Sequence, residues 1–368
     1  MMNFPLFRNI NIELSSACNF DCVYCPEHKM TRKKCFINTD ICLKIIDEIK
    51  DINLTEEINF YHMGESLLHK DAIKILRYTH DKGLRIKLNT NGSLLDQNMR
   101  KELLSIGIEK LYISYHDSYV KHKKYVSKAP IIDHSIWHDN ICSIIREKFS
   151  HSSNTNITII LFRTVLKDEQ VDGIKVLDNK KDVEDAIENW LSLGKELSSC
   201  YGLEFLHGKD VGFSKQIIHY FFKRSDKVFP VIPGFNINLV KVHTWNNDIV
   251  SSEIKSKKKF KLARYGSCDA LRDSMAIFAD GSYSLCCADW NGNVVIGHIE
   301  KEPLKEFMLS SKVKNIQSSF SNGKLPFDYC KMCRGGFTWK RWLFNQMHSY
   351  IYYNSSLYRR VRRTFNMQ

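Results

Sequence analysis

The chain has 368 residues, 43% of them hydrophobic, which is enough for one large or two medium domains. It lacks both a signal-peptide pattern and an apolar run long enough to span a membrane. Its twelve cysteines are a high count, but a secreted disulfide scaffold would usually be much shorter, so we expect a cytoplasmic protein with reduced thiols. The net charge of +13 permits binding to anions, but no nucleic-acid-binding motif accompanies it, so no nucleic-acid partner is expected.

The hydrophobic pattern predicts strands that alternate with helices. Residues 9–14 alternate like a half-buried strand, and Thr39 is predicted to cap the first helix. Further strands are predicted at 58–62, 84–88, 111–113, 157–162 and 237–243. Further helices are predicted from Asp71 to Gly83, from Asp96 to Gly107, and over 133–149 and 182–199. The stretch 200–235 is interpreted as an insertion.

This alternation indicates parallel strands joined by right-handed crossovers, hence an α/β fold. Within the strands, polar residues take every second position, as Lys87, Asn89, Tyr112 and Ser114 illustrate. Strands covered by helices on both faces would be apolar throughout. The pattern therefore predicts a curved, incomplete βα barrel with helices outside and a polar interior.

Three cysteines follow the first strand closely: Cys18, Cys22 and Cys25, in the string CNFDCVYC. Three thiolates can hold a [4Fe–4S] cluster and leave one iron open, and an open position on a metal is where a substrate or cosubstrate binds. Two alternatives stay open. His28 could complete a zinc site with the three thiolates, or Cys35 could supply a fourth ligand and close the cluster.

The Cys-x3-Cys-x2-Cys spacing, with the aromatic Tyr24 before the third cysteine, resembles the signature of the radical S-adenosylmethionine (SAM) enzymes. This resemblance implies a partial (β/α)6 barrel with the cluster at the carboxyl ends of the strands, where barrel active sites lie. It also implies SAM as cosubstrate, with Tyr24 against the adenine.

Two further segments resemble the SAM-binding turns of that superfamily. Met63-Gly64-Glu65-Ser66 keeps the central Gly-Glu of a Gly-Gly-Glu-Pro-like segment, which implies contact of Gly64 and Glu65 with the amino end of SAM. Asn89 and Asn91 belong to an Asn-Thr-Asn-Gly string after the third strand, and Ser114 matches a polar residue that often touches SAM. The alternative for each segment is an ordinary turn or a satisfied polar side chain.

Four cysteines near the C-terminus form a second motif, in which Cys268 precedes Gly281, and Cys286, Cys330 and Cys333 follow. Their pattern resembles the SPASM, or shorter twitch, auxiliary-cluster extension. Four thiolates complete one [4Fe–4S] cluster with no open iron, although zinc accepts the same ligands. A full SPASM domain has seven cysteines, so the count here implies one auxiliary cluster. Cys287 is interpreted as a packed thiol, because the spacing selects Cys286.

We therefore predict three regions. Residues 1–245 form the radical SAM core barrel with a possible insertion at 200–235, residues 246–345 form a small α+β SPASM/twitch-like domain, and residues 346–368 form a basic C-terminal helix or tail. The lysines of 255–261 and the arginines of the tail are interpreted as solvated faces.

The resemblance implies that the reduced N-terminal cluster splits SAM, and that the resulting 5′-deoxyadenosyl radical takes hydrogen from a substrate. The auxiliary cluster is expected to accept an electron, and a flavodoxin or ferredoxin to donate one. The first strand begins near residue 9, which leaves no room for a leader-binding domain and favours a small sugar-like or aminocyclitol-like substrate, with His243 and Trp245 in the substrate wall. A peptide-modifying enzyme is the alternative, and a non-catalytic iron–sulfur electron carrier or zinc-binding interaction protein is the alternative of another class.

Overall fold

The computed structural model describes residues 6–20, 22, 25–115, 133–163, 180–206, 227–241 and 260–355. Its strands are β1 Asn9–Ile12, β2 Glu57–Phe60, β3 Arg85–Thr90, β4 Lys110–Ser114, β5 Asn156–Arg163, β6 Lys227–Ile232, β7 Phe235–Lys241, β8 Ser274–Ile277, β9 Ser282–Ser284 and β10 Val295–His298. Its helices are α1 Thr39–Asp51, α2 Ala72–Asp81, α3 Gln97–Ile106, α4 His134–Ser150, α5 Lys180–Tyr201, α6 Leu304–Leu309, α7 Ser311–Ser321, α8 Asp328–Cys333 and α9 Trp339–Asn354.

All ten of these strands belong to one sheet, in the order β10-β9-β8-β1-β2-β3-β4-β5-β7-β6. From β8 through β7 each neighbouring pair is parallel, while β6, β9 and β10 run antiparallel to their neighbours. The two ends of the sheet, β10 and β6, are not joined to each other, so the sheet is an incomplete barrel. The predicted α/β fold with a partial barrel is confirmed.

The helices begin and end where local chemistry directs them. Asp96 accepts a hydrogen bond from the backbone N–H of Met99 and caps α3, which ends at Gly107 in the left-handed conformation. The prediction that Thr39 caps α1 was wrong by one residue. The side chain of Asn38 accepts from the N–H groups of Asp40 and Ile41, and Thr39 is the first helical residue.

Strand β6 was missed by the sequence analysis. The predicted insertion 200–235 includes β6, which forms a hairpin with β7 through a turn at Gly234 (φ +84°). Pro230 breaks the strand pattern, but β6 is at the edge of the sheet, where proline is tolerated. The strand predicted at 237–243 begins at Phe235, and residues 242–250 lie outside the described part of the chain.

The two faces of the sheet differ as predicted. Ile10, Ile58 and Ile157 are fully buried with the hydrophobic core. The alternate positions of β1–β5 and β7 form what we call the inner face, which is polar. There the Lys87 ammonium pairs with the Glu57 carboxylate at 2.5 Å, and both side chains are buried. A buried ion pair is tolerated only where its surroundings are polar, so this pair agrees with a polar inner face.

The C-terminal region continues the sheet of the core. Strand β8 pairs parallel with β1 in the register Asn9↔Ser274 to Ile12↔Ile277, and β9 and β10 extend it as a meander. The last described helix, α9, begins at Trp339, ahead of the predicted start of the C-terminal region at residue 346, and residues 356–368 lie outside the description. None of the helices in the described ranges has the length and apolarity needed to cross a membrane.

Candidate active site

The first cysteine cluster lies in the loop that leaves the carboxyl end of β1. Cys18, Cys22 and Cys25 are all partly buried there. The loop is stabilised from within, because the N–H of Cys25 donates to the carbonyl of Cys22 at 2.8 Å and the N–H of Phe20 donates to Cys18 Sγ at 3.3 Å. Tyr24 lies outside the described residues, as does the side chain of His28.

The electrostatics of this loop suit a cationic metal group. Burial raises the pKa of Cys18 to about 12, and the negative charges of Glu65 and Cys22 add to the rise. Burial also raises the pKa of Cys25, with contributions from Cys22 and Cys18. Thiols gathered in this way are held neutral unless a metal stabilises their thiolates, and iron does so. The donor set therefore fits an iron–sulfur cluster, and no three Cys, His, Asp or Glu side chains in the described ranges surround a site for a single ion.

Gly64 places the turn after β2 directly against the cysteine loop. Its φ is +73°, and a Cβ at this position would lie 2.4 Å from the Ser15 carbonyl oxygen and 2.6 Å from that of Ala17. The N–H of the next residue, Glu65, donates to the Ala17 carbonyl at 2.9 Å. Only glycine allows the two backbones to approach this closely. The predicted Gly-Glu segment and the cysteine motif therefore meet in space.

The Glu65 carboxylate then links this turn to the end of β3. It accepts hydrogen bonds from Thr90 Oγ1 at 2.9 Å, from the N–H of Asn91 at 2.7 Å and from the N–H of Leu67 at 3.1 Å. The side chain is buried, and burial raises the pKa of the carboxyl although the three hydrogen bonds oppose the rise. Its position in the site is thus fixed by the protein.

The predicted asparagines lie on the same side of the loop. Asn91 Nδ2 is 3.8 Å from Cys18 Sγ and donates to Asn19 Oδ1 at 2.9 Å, while its backbone carbonyl accepts from Trp137 Nε1 at 2.9 Å. Asn89 and Ser114 are half-buried on the neighbouring strands β3 and β4, both on the inner face. The structure therefore brings the described members of the predicted SAM site to one end of the barrel.

Cys35, the alternative fourth ligand of the first cluster, lies beside Ser16. Its N–H donates to Ser16 Oγ at 2.8 Å, and its carbonyl accepts from the N–H of Ser16 at 3.0 Å. These bonds hold the Cys35 segment alongside the strand end that precedes Cys18. The Cys35 thiol is 4.0 Å from Ser16 Oγ.

The second cluster of cysteines is assembled from separate C-terminal elements. Cys268 precedes β8, Cys286 follows β9, and Cys330 and Cys333 lie in α8. Burial raises the pKa of the Cys286 thiol well above its usual value, and the charges of Cys287, Cys268 and Cys333 add to this. Burial likewise raises the pKa of Cys330, with contributions from the same two neighbours. The four predicted auxiliary ligands are therefore close enough to interact electrostatically.

Arg334 is the basic side chain beside this second cluster. Its Nη2 lies 3.5 Å from Cys268 Sγ, and its guanidinium lies 5.0 Å from the Tyr353 ring centroid. Burial raises the pKa of Cys268 to about 11, and the Arg334 charge acts in the opposite direction. Arg334 immediately follows Cys333, the last cysteine of the motif. The sequence analysis did not consider this position.

Cys287 also lies close to the second cysteine cluster, because its charge acts on the Cys286 thiol and it interacts with Cys333. The Cys287 charge interacts with Asp269 and Arg8, and it also acts on the buried Tyr61 hydroxyl of the inner face. Burial raises the pKa of the Cys287 thiol to about 11. Cys286 and Cys287 therefore both interact with Cys333, and the sequence spacing rather than the electrostatics selects Cys286 as the ligand.

A buried ion pair connects the two cysteine regions, and sequence reasoning missed it. The Arg32 guanidinium binds both oxygens of Glu13, at 2.7 and 2.5 Å, and the Arg32 Nε donates to the Trp290 carbonyl at 2.9 Å. Glu13 also accepts from the N–H of Ala279 at 3.0 Å. The sequence feature that could have indicated this pair is Glu13 itself, an acidic residue at an inner-face position of the first predicted strand.

His243 and Trp245, the predicted substrate wall, lie outside the described residues.

Two family models match this chain. The model of the radical SAM superfamily matches residues 12–175, which contain the cysteine loop and Glu65. The model of the SPASM iron–sulfur cluster-binding domain matches residues 268–334, which contain the four C-terminal cysteines. Each matched range thus encloses one of the two cysteine clusters.

Curated relatives share only part of the chain. AdoMet-dependent heme synthase of Methanosarcina barkeri is 35% identical over 115 residues, which are 31% of this chain and 32% of that protein. S-adenosyl-L-methionine-dependent 2-deoxy-scyllo-inosamine dehydrogenase of Niallia circulans is 28% identical over 121 residues, 32% of this chain and 48% of that protein. The matches therefore span about a third to a half of these relatives.

Among solved structures, Streptococcus suis SuiB bound to S-adenosylmethionine is similar with a TM-score of 0.51 at 14% identity, over 85% of this chain and 68% of that chain. This likeness shows a shared fold. The two family matches imply SAM and iron–sulfur clusters as the cofactors of this protein. The chain therefore contains a radical SAM domain at residues 12–175 and a C-terminal SPASM iron–sulfur cluster-binding domain at residues 268–334.

Proposed function

We propose that this protein is a radical SAM dehydrogenase that removes two hydrogens from a small, hydroxyl-rich molecule such as a sugar or aminocyclitol. In this proposal Cys18, Cys22 and Cys25 hold a [4Fe–4S] cluster with one open iron. Cys268, Cys286, Cys330 and Cys333 hold one auxiliary [4Fe–4S] cluster. When bound, the first cluster supplies the electron that splits SAM into methionine and the 5′-deoxyadenosyl radical that abstracts hydrogen.

In this proposal the residues around the cysteine loop orient SAM. The backbone at Gly64 and Glu65 would receive its amino group, and Asn89, Asn91 and Ser114 line the neighbouring strand ends. Because the Glu65 side chain is already hydrogen-bonded to the turn after β3, its role in this proposal is to fix that turn rather than to contact SAM directly. Tyr24 would lie against the adenine.

The observation that carries the substrate proposal is the unsatisfied polarity of the inner face. Asn59 on β2 and Asn238 on β7 each hold a buried side-chain oxygen without a hydrogen-bond partner among the described residues. The Asn59 amide nitrogen donates to Asn11 Oδ1 at 2.8 Å, which fixes the direction of its free oxygen. Buried acceptors are normally satisfied, so they call for a donor from a ligand. Hydroxyl and amino groups are such donors.

After the first hydrogen atom has been abstracted, the substrate must still lose one electron and one proton. After one hydrogen atom has left a carbinol carbon, loss of the hydroxyl proton and one electron gives the ketone. In this proposal the second cysteine cluster receives that electron, and the direct pairing of β8 with β1, which connects the two regions, supports this role. The likeness to the inosamine dehydrogenase supports this reaction. The electron donor would be a flavodoxin or ferredoxin, and His243 and Trp245 would contribute to the substrate wall.

The test is product analysis with the reconstituted, reduced holoenzyme under anaerobic conditions. Free sugars, nucleotide-linked sugars, aminocyclitols and short peptides would each be incubated with SAM. We expect one hydroxyl-rich compound to lose two hydrogens with an equal amount of 5′-deoxyadenosine formed. Cross-linked or oxidised peptide, or loss of water from the small molecule, would contradict the proposal.

A substitution at Asn238 tests the substrate site separately. Asn238→Ala removes an unsatisfied buried oxygen, so we expect the free energy of unfolding of the apo protein to stay within about 1 kcal/mol of wild type or to rise. The same change should raise the KM for the small molecule about tenfold, because a hydrogen bond to the ligand is lost. Unchanged KM with reduced stability would assign Asn238 to the protein's own packing.

A further inference from the structure

His62 carries a polar ring that none of the interactions described so far uses. It follows β2 and lies two residues before Gly64. Both of its ring nitrogens are shielded from solvent, and neither has a hydrogen-bond partner among the described residues. Buried polar atoms are normally satisfied, and a phenylalanine would fill the same position without the cost of two unpaired nitrogens. The imidazole of His62 therefore calls for a ligand.

His69, in the same segment after β2, shows how this protein satisfies a buried histidine. Its Nδ1 accepts from the N–H of Asp71 at 3.1 Å, so its Nε2 carries the proton and donates to the carbonyl of Ile37 at 2.7 Å. Both nitrogens of His69 are thus used by the protein itself. The segment contains one histidine that the fold requires and one whose nitrogens the described residues leave unpaired.

The His62 ring lies at the carboxyl end of β1, near the Glu13 carboxylate. Met63, which follows His62, donates its N–H to one Glu13 oxygen at 3.2 Å, and Ala279 donates to the other at 3.0 Å. The rings of His62 and Phe278 stack with 5.1 Å between centroids and 7° between planes. Because β2 and β8 flank β1 on opposite sides, this stack crosses the end of β1. The imidazole therefore lies where the two cysteine regions meet.

The charges around His62 suit a group that starts neutral and accepts a proton. Burial lowers the pKa of the imidazole, so the ring is neutral at pH 7 and one of its nitrogens can accept. The carboxylates of Glu13 and Asp289 act in the opposite direction and favour the imidazolium, whereas the charge of Arg32 disfavours it. A proton that arrives on His62 therefore has two negative charges nearby.

We propose that His62 is the catalytic residue that accepts the hydroxyl proton of the substrate, a role that rests on the proposed dehydrogenase function. After one hydrogen atom has left the carbinol carbon, the O–H bond breaks and its proton binds to the unprotonated nitrogen of His62. One electron passes to the oxidised auxiliary cluster, and the C=O bond of the ketone forms. A carbinol radical that loses its electron becomes a protonated ketone, which is a strong acid, so a weakly basic imidazole suffices. The ligand that His62 calls for is thus a secondary alcohol.

The first test follows the two halves of the reaction in the reconstituted, reduced holoenzyme. The alcohol that the product analysis identifies carries deuterium on its carbinol carbon, and both the ketone and deuterated 5′-deoxyadenosine are quantified. His62→Phe should still transfer deuterium but should lower the ratio of ketone to 5′-deoxyadenosine at least about tenfold, because the radical forms and then retains its proton. His69→Phe, the matched control, should keep the wild-type ratio. A wild-type ratio in His62→Phe overturns the proposal.

A second variant separates proton transfer from binding. The glutamine of His62→Gln can hydrogen-bond to a hydroxyl but is not a base, so this variant should bind the alcohol in the oxidised, SAM-bound holoenzyme and still form as little ketone as His62→Phe. In the wild type, ketone formation should fall as the pH drops through the pKa of His62, because the imidazole becomes protonated. If His62→Gln forms ketone at the wild-type ratio, His62 only binds the substrate and its role as proton acceptor is wrong.

Chemical denaturation of the oxidised holoprotein tests His62 without any substrate. His62→Phe should keep or raise the denaturation midpoint because it removes two unpaired nitrogens, whereas His69→Phe should lower it because Ile37 and Asp71 lose their partner. If both variants lower the midpoint equally, the fold itself requires the His62 nitrogens and the proposal fails whatever the reaction is. If the midpoints are as expected but the wild type oxidises no alcohol, the proposed function is wrong, and the proton transfer by His62 falls with it.

Discussion

At the scale of single residues, Gly64 is the position where substitution has the most direct consequence for the site. A methyl group there would collide with the carbonyl oxygens of Ser15 and Ala17, which belong to backbone and do not move aside easily. Gly64→Ala should therefore lower the free energy of unfolding by more than about 3 kcal/mol and release iron from the adjacent loop. Thermal unfolding and iron retention on gel filtration measure the two effects.

Gly202 is the matched control for Gly64. Its φ of +63° imposes the same backbone conformation, but no atom lies within 4 Å of an added Cβ. Gly202→Ala should cost only about 1–2 kcal/mol for the left-handed conformation and should leave the iron content unchanged. If both variants behaved alike, backbone conformation rather than close approach to the cysteine loop would explain the effect at Gly64.

Arg334 offers a second residue-scale prediction, on redox behaviour. Its guanidinium lies against Cys268, where positive charge stabilises the reduced, more negative form of a bound cluster. Arg334→Gln should lower the reduction potential of the auxiliary cluster by on the order of tens of millivolts. Arg334→Lys keeps the charge and should restore part of the difference.

The potential is best measured by redox titration with electron paramagnetic resonance in a background that lacks Cys18, Cys22 and Cys25. Only the auxiliary cluster contributes to the signal there. A potential that Arg334→Gln leaves unchanged would indicate that no cluster lies beside Cys268.

The residues of the site were predictable to the extent that their signal is local. The cysteine spacing and the Gly64-Glu65 pair lie within short strings, so the sequence alone identified them, although their roles in binding remain predictions. The Glu13–Arg32 pair was not identified. Its partners are 19 residues apart, and nothing in the sequence tells which of the charged residues after the cysteines folds back over β1.

At the scale of elements, the Glu13–Arg32 pair connects β1 to the turn after β9. Glu13 is fully buried, so Arg32→Met leaves its carboxylate without a cation and should cost about 3–5 kcal/mol of stability. Glu13→Gln/Arg32→Met should cost less than the sum of the single changes, because the uncompensated charge is then absent. Chemical denaturation of the apo variants gives the three values.

An exposed ion pair in the same protein provides the comparison. Arg77 and Glu102 join α2 and α3 at 2.8 Å, but nearly half of each side chain is exposed. Arg77→Met should therefore cost less than about 1 kcal/mol. If Arg32→Met lowered the free energy of unfolding as little as Arg77→Met, water would reach Glu13 and the pair would contribute little to joining the two regions.

The order of the strands could be predicted only in part. Repeated strand–helix units and polar inner positions such as Asn89 indicate a parallel partial barrel, because adjacent units in sequence are adjacent in the sheet. The pairing of β8 with β1 had no such signal, since Asn9 and Ser274 are far apart along the chain. Strand β6 was missed because Pro230 was interpreted as a break in the strand pattern. Proline is tolerated there because β6 is at the edge of the sheet.

At the scale of the whole molecule, the sheet makes the two cysteine regions parts of one structure while leaving each with its own ligands. The first region depends on the loop after β1, and the second on α8 and the turns flanking β8 and β9. Loss of one set of thiols should therefore leave the other able to bind metal. Metal analysis can test this independently of any substrate.

We expect the anaerobically reconstituted protein to hold about eight irons, four for each cluster. Replacing Cys18, Cys22 and Cys25 with alanine should leave about four irons and abolish SAM cleavage. Cys286→Ser should also leave about four irons, whereas Cys287→Ser should keep about eight, because the Gly-x4-Cys spacing selects Cys286 as the ligand. Stoichiometric zinc in place of iron would support the zinc-site alternative for whichever set of cysteines retains it. If Cys287→Ser lost as much iron as Cys286→Ser, the assignment of Cys286 rather than Cys287 as the ligand would be wrong.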